Sequence, residues 1–318
     1  MMKKADAYGF QNERESRFPR MICLEITNVC NMRCIHCPYE QISQQKDYAP
    51  KFMPWEVFRK IADEAARFPG TIFRFVCDGE PMMHPDFMRM AAYAKKKNIS
   101  PLTVTTNGMF LSSGKSEELI KLGVELIEIS LDAFSAKTYE KIRIGGDFVL
   151  VLRNVDELLR LREDLNGNTK IMVSAIDQPA AAGELAEFRK YWEKRVDKVI
   201  IRKLTSIGGL LETPEMQEKS LPKPERWPCP LLWRRLFINV DGKAEFCVDD
   251  WLDESVIADV AEDDIARIWA SSEYARIRDA HLKGYFSQIK KCGDCCDWPA
   301  RTWAYDYFHA LESLGVMK

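Results

Sequence analysis

The chain has 318 residues, 46% apolar and 30% charged, with 46 basic against 48 acidic side chains and a formal net charge of −2. That is the composition of one large or two ordinary globular domains, and it excludes collagen-like, disordered and disulfide-stapled chains. The balanced charge argues against a nucleic-acid or anionic-membrane binder, no run reaches the roughly 20 apolar residues of a membrane helix, and residues 1–20 lack the apolar core of a secretory signal, so a cytoplasmic protein is expected.

In chain order, β-like runs fall at residues 21–27, 71–77, 101–106, 125–131, 170–176 and 197–203. Helix-like segments separate them at 54–69 (opened by Pro54, a favoured first helical residue), 86–98, 116–123, 147–164 and 183–195. Such alternation implies βαβ crossovers and a parallel sheet. Six repeats are too few for a closed eight-fold barrel and suit an open or partial one, an α/β fold that collects ligands at the C-terminal ends of its strands. Residues 204–230 then lose all periodicity and hold Gly208, Gly209 and five prolines, which reads as a linker. Beyond it, Asp241–Gly242 between alternating apolar runs predicts a hairpin. Two short helices follow, then KKCGDCCDW and a last helix-like segment, AYDYFHALESL. The expected domains are an N-terminal extension (1–20), a barrel (21–203), a linker (204–228) and a C-terminal domain (229–318).

Ten cysteines fall into two groups, Cys23, Cys30, Cys34, Cys37 and Cys77 early, and Cys229, Cys247, Cys292, Cys295 and Cys296 late. In a reducing compartment spaced cysteines bind metal or do redox chemistry more often than they form bridges. Two thiolate sites are the simplest reading. Cys30, Cys34 and Cys37 form CxxxCxxC in the loop after the first strand. Three thiolates can hold three irons of a cubane and leave the fourth open; a structural zinc site wants a fourth protein ligand, which His36 can supply.

CxxxCxxC after the first strand of a partial (β/α)6 barrel resembles the hallmark of the radical S-adenosylmethionine (SAM) superfamily. In that family the open iron chelates SAM, and one electron releases a 5′-deoxyadenosyl radical that abstracts hydrogen from substrate. The resemblance implies a SAM-binding [4Fe–4S] cluster on Cys30, Cys34 and Cys37, with His36 beside the adenine. CDGEP (77–81) stands where the family reads GGEP, with Asp78 replacing the first glycine while Gly79, Glu80 and Pro81 remain to hold the SAM amino group. TTNG (105–108), ISLDA (129–133) and KIRIGG (141–146) extend the match, with Asn107, Ser130 and Arg143 implied as SAM contacts. Taken singly, an Asn-Gly is a common turn and an arginine near a helix end a common cap.

The late group is similar to the auxiliary-cluster domain of the SPASM/twitch branch of the same superfamily. With five cysteines rather than seven or more, the short twitch form is expected, carrying one auxiliary [4Fe–4S] cluster on Cys229, Cys247, Cys292 and Cys295; zinc on the same four is the alternative. Cys23 and Cys77 read as packing residues. Cys296 is a hydrogen donor to a substrate radical, a replacement ligand, or neither.

Three functions follow. The first is hydrogen abstraction from a small polyol (a sugar, aminocyclitol or aminoglycoside) leading to oxidation or epimerisation, with an external flavodoxin- or ferredoxin-type reductant and no nucleic-acid or membrane partner. The second is a peptide- or protein-modifying maturase, disfavoured by the roughly 20 residues before the first strand, short for a leader-binding domain. The third is a non-catalytic iron–sulfur or zinc protein. Strand alternation puts Asp177 and Lys203 near strand ends, where they can hydrogen-bond hydroxyls or carry a carbinol proton, or simply be solvated charges.

Overall fold

The computed structural model describes residues 8–212, 225–303 and 307–317. Its centre is a nine-stranded sheet. In chain order the strands are β1 (Met21–Leu24), β2 (Arg33–Cys34), β3 (Ile72–Phe75), β4 (Leu102–Thr106), β5 (Leu126–Ser130), β6 (Arg143–Ile144), β7 (Lys170–Asp177), β8 (Lys198–Lys203), β9 (Arg235–Ile238), β10 (Lys243–Glu245) and β11 (Val256–Asp259). The sheet order is β11-β10-β9-β1-β3-β4-β5-β7-β8, with β2 and β6 forming a separate antiparallel ribbon. Six strands from β1 to β8 run parallel, at the positions expected from the sequence.

These strands are apolar on both faces because both are covered, as in parallel sheets generally. Amphipathic helices such as Trp55–Ala65, Phe87–Lys96 and Phe148–Asp164 pack on the outer face. Asp147 starts the last of these by accepting the Leu150 N–H. Pro54 serves as N-cap rather than as the first helical residue, and that helix ends at Ala65, four residues short of the expected Pro69. On the inner face Met21, Cys23, Ile72, Leu126, Met172, Ile200 and Phe237 meet Tyr307, Phe308 and Leu311 of the final helix, Tyr307–Ser313. Cys23, 1% exposed there, is the small buried hydrophobe it was expected to be. Charged groups share this face: Glu128 takes Arg74 at 3.0 Å and Arg202 at 2.6 Å, Arg74 lies 3.7 Å over the Tyr307 ring and Arg235 5.1 Å over that of Phe308.

The expected hairpin forms as β9 and β10, with Gly242 at φ +80° in the turn. It does not stand apart from the barrel strands. β9 pairs in parallel with β1, Met21 opposite Arg235 through Leu24 opposite Ile238, so the sheet continues across what the sequence reads as a linker. The described start of that linker is pinned as well: Asp297 accepts the Ser206 and Gly208 N–H groups at 2.6 and 2.8 Å. Gly208 is required, since a Cβ there would come within 2.6 Å of the Asp249 carbonyl. Residues 213–224 of the linker and 304–306 of the last helix-like segment lie outside the described residues. No described helix is long and apolar enough to cross a membrane.

The two halves also meet through Glu64, 3% exposed, whose carboxylate accepts the Ile265 and Ala266 N–H groups at 2.8 and 2.9 Å and so caps the helix Ile265–Trp269. Glu64→Ala strands both donors and should lower the unfolding free energy by about 2 kcal/mol in urea titration. Glu64→Gln, which retains an acceptor oxygen, should lose clearly less; equal losses would rule out the capping role.

Candidate functional site

The chain leaving β1 and the chain leaving β3 cross at the top of the sheet. The Glu80 N–H donates to the Val29 carbonyl at 2.9 Å, and a Cβ on Gly79 would sit 2.2 Å from the Thr27 carbonyl oxygen, a contact no side chain survives. This is the physical reason for glycine at 79. The cysteine loop is fixed in turn by Tyr39, whose hydroxyl accepts the Cys30 N–H at 3.0 Å, by a Cys37 N–H to Cys34 carbonyl bond of 3.0 Å, and by the ribbon pairing Cys34 with Arg143.

Glu80, 3% exposed, is held by three donors: the Thr106 hydroxyl (2.7 Å), the Asn107 N–H (2.7 Å) and the Met82 N–H (3.1 Å). Pro81 begins the short turn Pro81–Met83 that supplies the last of these. Burial pushes the Glu80 carboxyl up, and the donors only partly offset it. Asn107 also donates to the Asn31 side chain at 2.8 Å, joining the β4 end to the cysteine loop. Arg143 clamps Asp132 through Nε (2.8 Å) and Nη2 (2.6 Å), with its Nη1 4.0 Å from the Cys34 sulfur. Burial pushes the Asp132 carboxyl up, but Arg143 and then His36 outweigh it, so its net shift is downward. His36 lies between Asp132 (3.5 Å) and Gln178 (3.2 Å), and burial lowers its pKa, favouring neutral imidazole.

These groups enclose a cavity of about 310 Å³. Cys30, Cys34, Cys37, His36, Gly79, Glu80, Asn107, Ser130 and Arg143 all line it, as do Cys77, Asp78 and, from the C-terminal half, Ile207, Val248, Asp249 and Trp251. Pro81 supports the wall without forming it. Asp177 and Lys203 are paired across β7 and β8, but both are exposed and neither lines the cavity. The alternation rule located their strand ends correctly; the last residues of both strands turn to solvent. Cys296 is also off the wall, its sulfur 3.0 Å from the Ser206 hydroxyl. Cys77 is the thiol that the wall does contain beyond the motif three, held at φ +102°.

The late cysteines gather beneath the hairpin. Burial raises all four thiols, Cys229 to about 11 and Cys292 to about 12, and three feel the charge of others in the set: Cys229 that of Cys295, Cys247 that of Cys229 and Cys292, and Cys292 that of Cys229 and Cys295. Buried thiols that resist ionisation in each other's company are what a bound metal centre relieves, because it compensates the thiolate charge. The early set behaves alike, with burial pushing Cys30 to about 11 and Cys37 to about 12. Among the described residues no three His, Cys, Asp or Glu side chains are placed to hold one metal ion. Three thiols in one loop and four in the C-terminal half are the all-cysteine donor sets that iron–sulfur clusters use.

Sequence reasoning missed several neighbours. Asp132 stood unremarked inside ISLDA; Gln178 carries no local signal. His281 accepts the Cys229 N–H at 3.2 Å, and burial, helped by Arg226, drops its pKa to about 3. Glu25, Asp78, Glu245 and Asp250 line a second cavity of about 190 Å³, which shares Asp78 and Trp251 with the first. Asp78 belongs to the CDGEP turn, but Glu25 and Glu245 stand 220 residues apart, and no local pattern joins them to it.

Comparison with known proteins locates the chain. A model of the radical SAM superfamily matches residues 24–174, and a model of an iron–sulfur cluster-binding domain, SPASM, matches residues 229–296. A tungsten-containing aldehyde ferredoxin oxidoreductase cofactor-modifying protein of Pyrococcus furiosus is 32% identical over 149 residues, 46% of this chain and 40% of that protein. A probable GTP 3′,8-cyclase of Methanococcus maripaludis is 25% identical over 182 residues, 57% of this chain and 58% of that one. The chain thus spans about half the length of the curated relatives it matches. In fold it is similar to BtrN, solved with AdoMet and 2-DOIA (TM-score 0.61, 18% identity, 91% of this chain and 97% of that one). It is similar also to Streptococcus suis SuiB bound to S-adenosylmethionine (TM-score 0.67, 14% identity, 93% and 75%). With one family match lying over the crossed loops and the other over the late cysteines, the chain belongs to the radical SAM superfamily and carries its SPASM-type iron–sulfur cluster-binding domain.

Proposed function

We propose that this radical SAM enzyme abstracts hydrogen from a small polyol and oxidises it, in the cytoplasm, with a flavodoxin- or ferredoxin-type protein as electron source. The observation that carries the reading is the cavity of about 310 Å³ whose wall holds the three motif cysteines and Glu80 together with Ile207, Val248 and Trp251 of the C-terminal half, a concave space of small-molecule size. BtrN, matched over 97% of its length and solved with AdoMet and 2-DOIA, supports a small ligand. The peptide-modifying alternative is supported by SuiB bound to the precursor peptide SuiA and by anSMEcpe bound to the Cp18Cys peptide.

Cys30, Cys34 and Cys37 would hold the SAM-binding [4Fe–4S] cluster, and Cys229, Cys247, Cys292 and Cys295 the auxiliary one. When bound, SAM and its cluster supply the 5′-deoxyadenosyl radical, and the auxiliary cluster supplies an electron acceptor. The chain's own part is positioning and exclusion. Glu80 offers a carboxylate whose orientation is set by its three donors, suited to an ammonium group. Asn107, Ser130 and the Arg143 guanidinium present polar atoms around the same space, His36 offers an apolar ring held flat by Asp132 and Gln178, and Gly79 allows the close approach of backbone. The auxiliary set takes four thiols and keeps no vacancy for substrate. Cys296, turned to Ser206, is poorly sited to donate hydrogen, which favours oxidation over inversion.

Three outcomes test this. Anaerobically reconstituted protein should hold about eight irons, and Cys30→Ala with Cys34→Ala about four; an unchanged count, or zinc in the late site, would sink the two-cluster assignment. Reduced protein with SAM should yield 5′-deoxyadenosine and methionine, and Glu80→Ala should weaken SAM binding about ten-fold or more at unchanged iron content, as loss of a charged hydrogen-bond partner does. S-adenosylhomocysteine as the product would instead mean methyl transfer. With substrate in heavy water, wild type and Cys296→Ala should form the same ketone; an inverted, deuterated alcohol lost in Cys296→Ala would make the enzyme an epimerase.

A further inference from the structure

Beside the SAM-side cavity lies the smaller one, about 190 Å³, and Asp78 and Trp251 form part of both walls. Its floor is carboxylate. Glu25 follows β1, Asp78 follows β3 and Glu245 ends β10, strands that lie within four places of one another in the sheet. Glu25 and Glu245 are 7% and 5% exposed. Asp250 is satisfied by the N–H groups of Leu252, Glu254 and Ser255 and by Lys291, and Glu245 takes one hydrogen bond, from Asn239 at 2.7 Å.

Glu25 and Asp78 differ. Glu25, more than nine-tenths buried, receives the Val240 N–H and, among the described residues, no side-chain hydrogen bond, and its carboxylate lines the cavity. Asp78 has neither a hydrogen bond nor an ion pair from any described residue. Of the residues lining this cavity only Lys51 is basic, and it is spent on Asp241 at 2.5 Å. Buried acids short of counter-charge are costly: burial, with Asp253 and Asp241 adding repulsion that Lys51 only partly offsets, drives Glu25 up to about 8. A cation entering the cavity would remove that cost and replace it with charge-assisted hydrogen bonds.

Building on the substrate site proposed above, we propose that the smaller cavity receives a primary ammonium group of the substrate, held by Glu25 and Asp78, while the carbon to be oxidised lies in the larger cavity. Asp78 is then the hinge of recognition: the departure from GGEP exchanges a glycine for the carboxylate that faces both spaces. An uncharged polyol lacks the group this wall is built for.

The test is binding to the cluster-loaded enzyme with SAM present, using two matched pairs of probes. One pair is scyllo-inosamine against scyllo-inositol; the other is Nα-acetyl-lysine amide against Nα-acetyl-norleucine amide. Calorimetry should find the amine of one pair preferred by about ten-fold or more, the worth of a charged hydrogen bond. That preference should fall to within about three-fold in Glu25→Gln and in Asp78→Asn, while Glu25→Gln binds SAM as wild type does. The pair that carries the effect tells whether the ammonium sits on a cyclitol or on a peptide. No discrimination in either pair, a preference that survives both substitutions, or loss of SAM binding in Glu25→Gln (which would make SAM itself the cation) overturns the inference. 5′-Deoxyadenosine measured in the same samples separates the two levels. If it forms without amine preference, only the ammonium inference fails; if it never forms, the radical reading beneath it fails.

Discussion

Everything at the catalytic end hangs on one backbone crossing. Where the loop after β3 passes over the loop after β1, the Glu80 N–H reaches the Val29 carbonyl and Gly79 lies against Thr27. That contact sets where the three early cysteines stand relative to the one buried carboxylate, and Thr106 and Asn107 lock the carboxylate from the next strand. A strand sheet alone would place these loops side by side. The crossing brings the thiols and the acid to face one space, and the Arg143–Asp132 clamp closes the opposite wall.

The electrostatics of the two ends are opposed. Around His36 and Cys34 the buried charges are matched, Arg143 against Asp132, and the carboxylate stays ionised. Around Asp78 they are not: Glu25, Glu245 and their neighbours repel one another and are pushed toward neutrality. A boundary between a paired and an unpaired field thus runs through the middle of the cavity system, along Asp78 and Trp251. Between low-dielectric walls such a boundary orients a polar molecule, since interactions strengthen as the local dielectric falls.

The sequence was most legible where local rules act alone. All six parallel strands follow from short apolar runs spaced by amphipathic helices, and the Asp241–Gly242 turn from its two residues. The cysteine spacing and the GEP turn are short-range patterns too, and the residues they indicate share a wall. What the sequence hid depends on long-range register. Nothing in RRLFINV announces that it will pair with Met21–Leu24 rather than end a separate module, because parallel pairing leaves no turn signature. For Asp177 and Lys203 the sequence left two readings open for a related reason: a strand's period gives the face of a residue, while its exposure depends on what the neighbouring halves cover, and here both are exposed. Cys296 adjoins Cys295, but adjacency in sequence sends successive side chains different ways, here to Ser206.

The parallel pairing of β9 with β1 bears on how the chain reaches its native state. β1 is made some two hundred residues before its partner, so its outer edge waits for residues 235–238, and the inner face of the sheet waits for Tyr307–Ser313. Until then the nascent barrel presents an unpaired strand edge and an uncovered apolar surface, the features that template association between chains. Contacts of such sequence separation also form slowly, since loop closure must precede their reward. Synthesis of this fold therefore has a long vulnerable interval, and the yield of folded chain should depend on chaperone capacity and on the rate at which residues 204–313 are made.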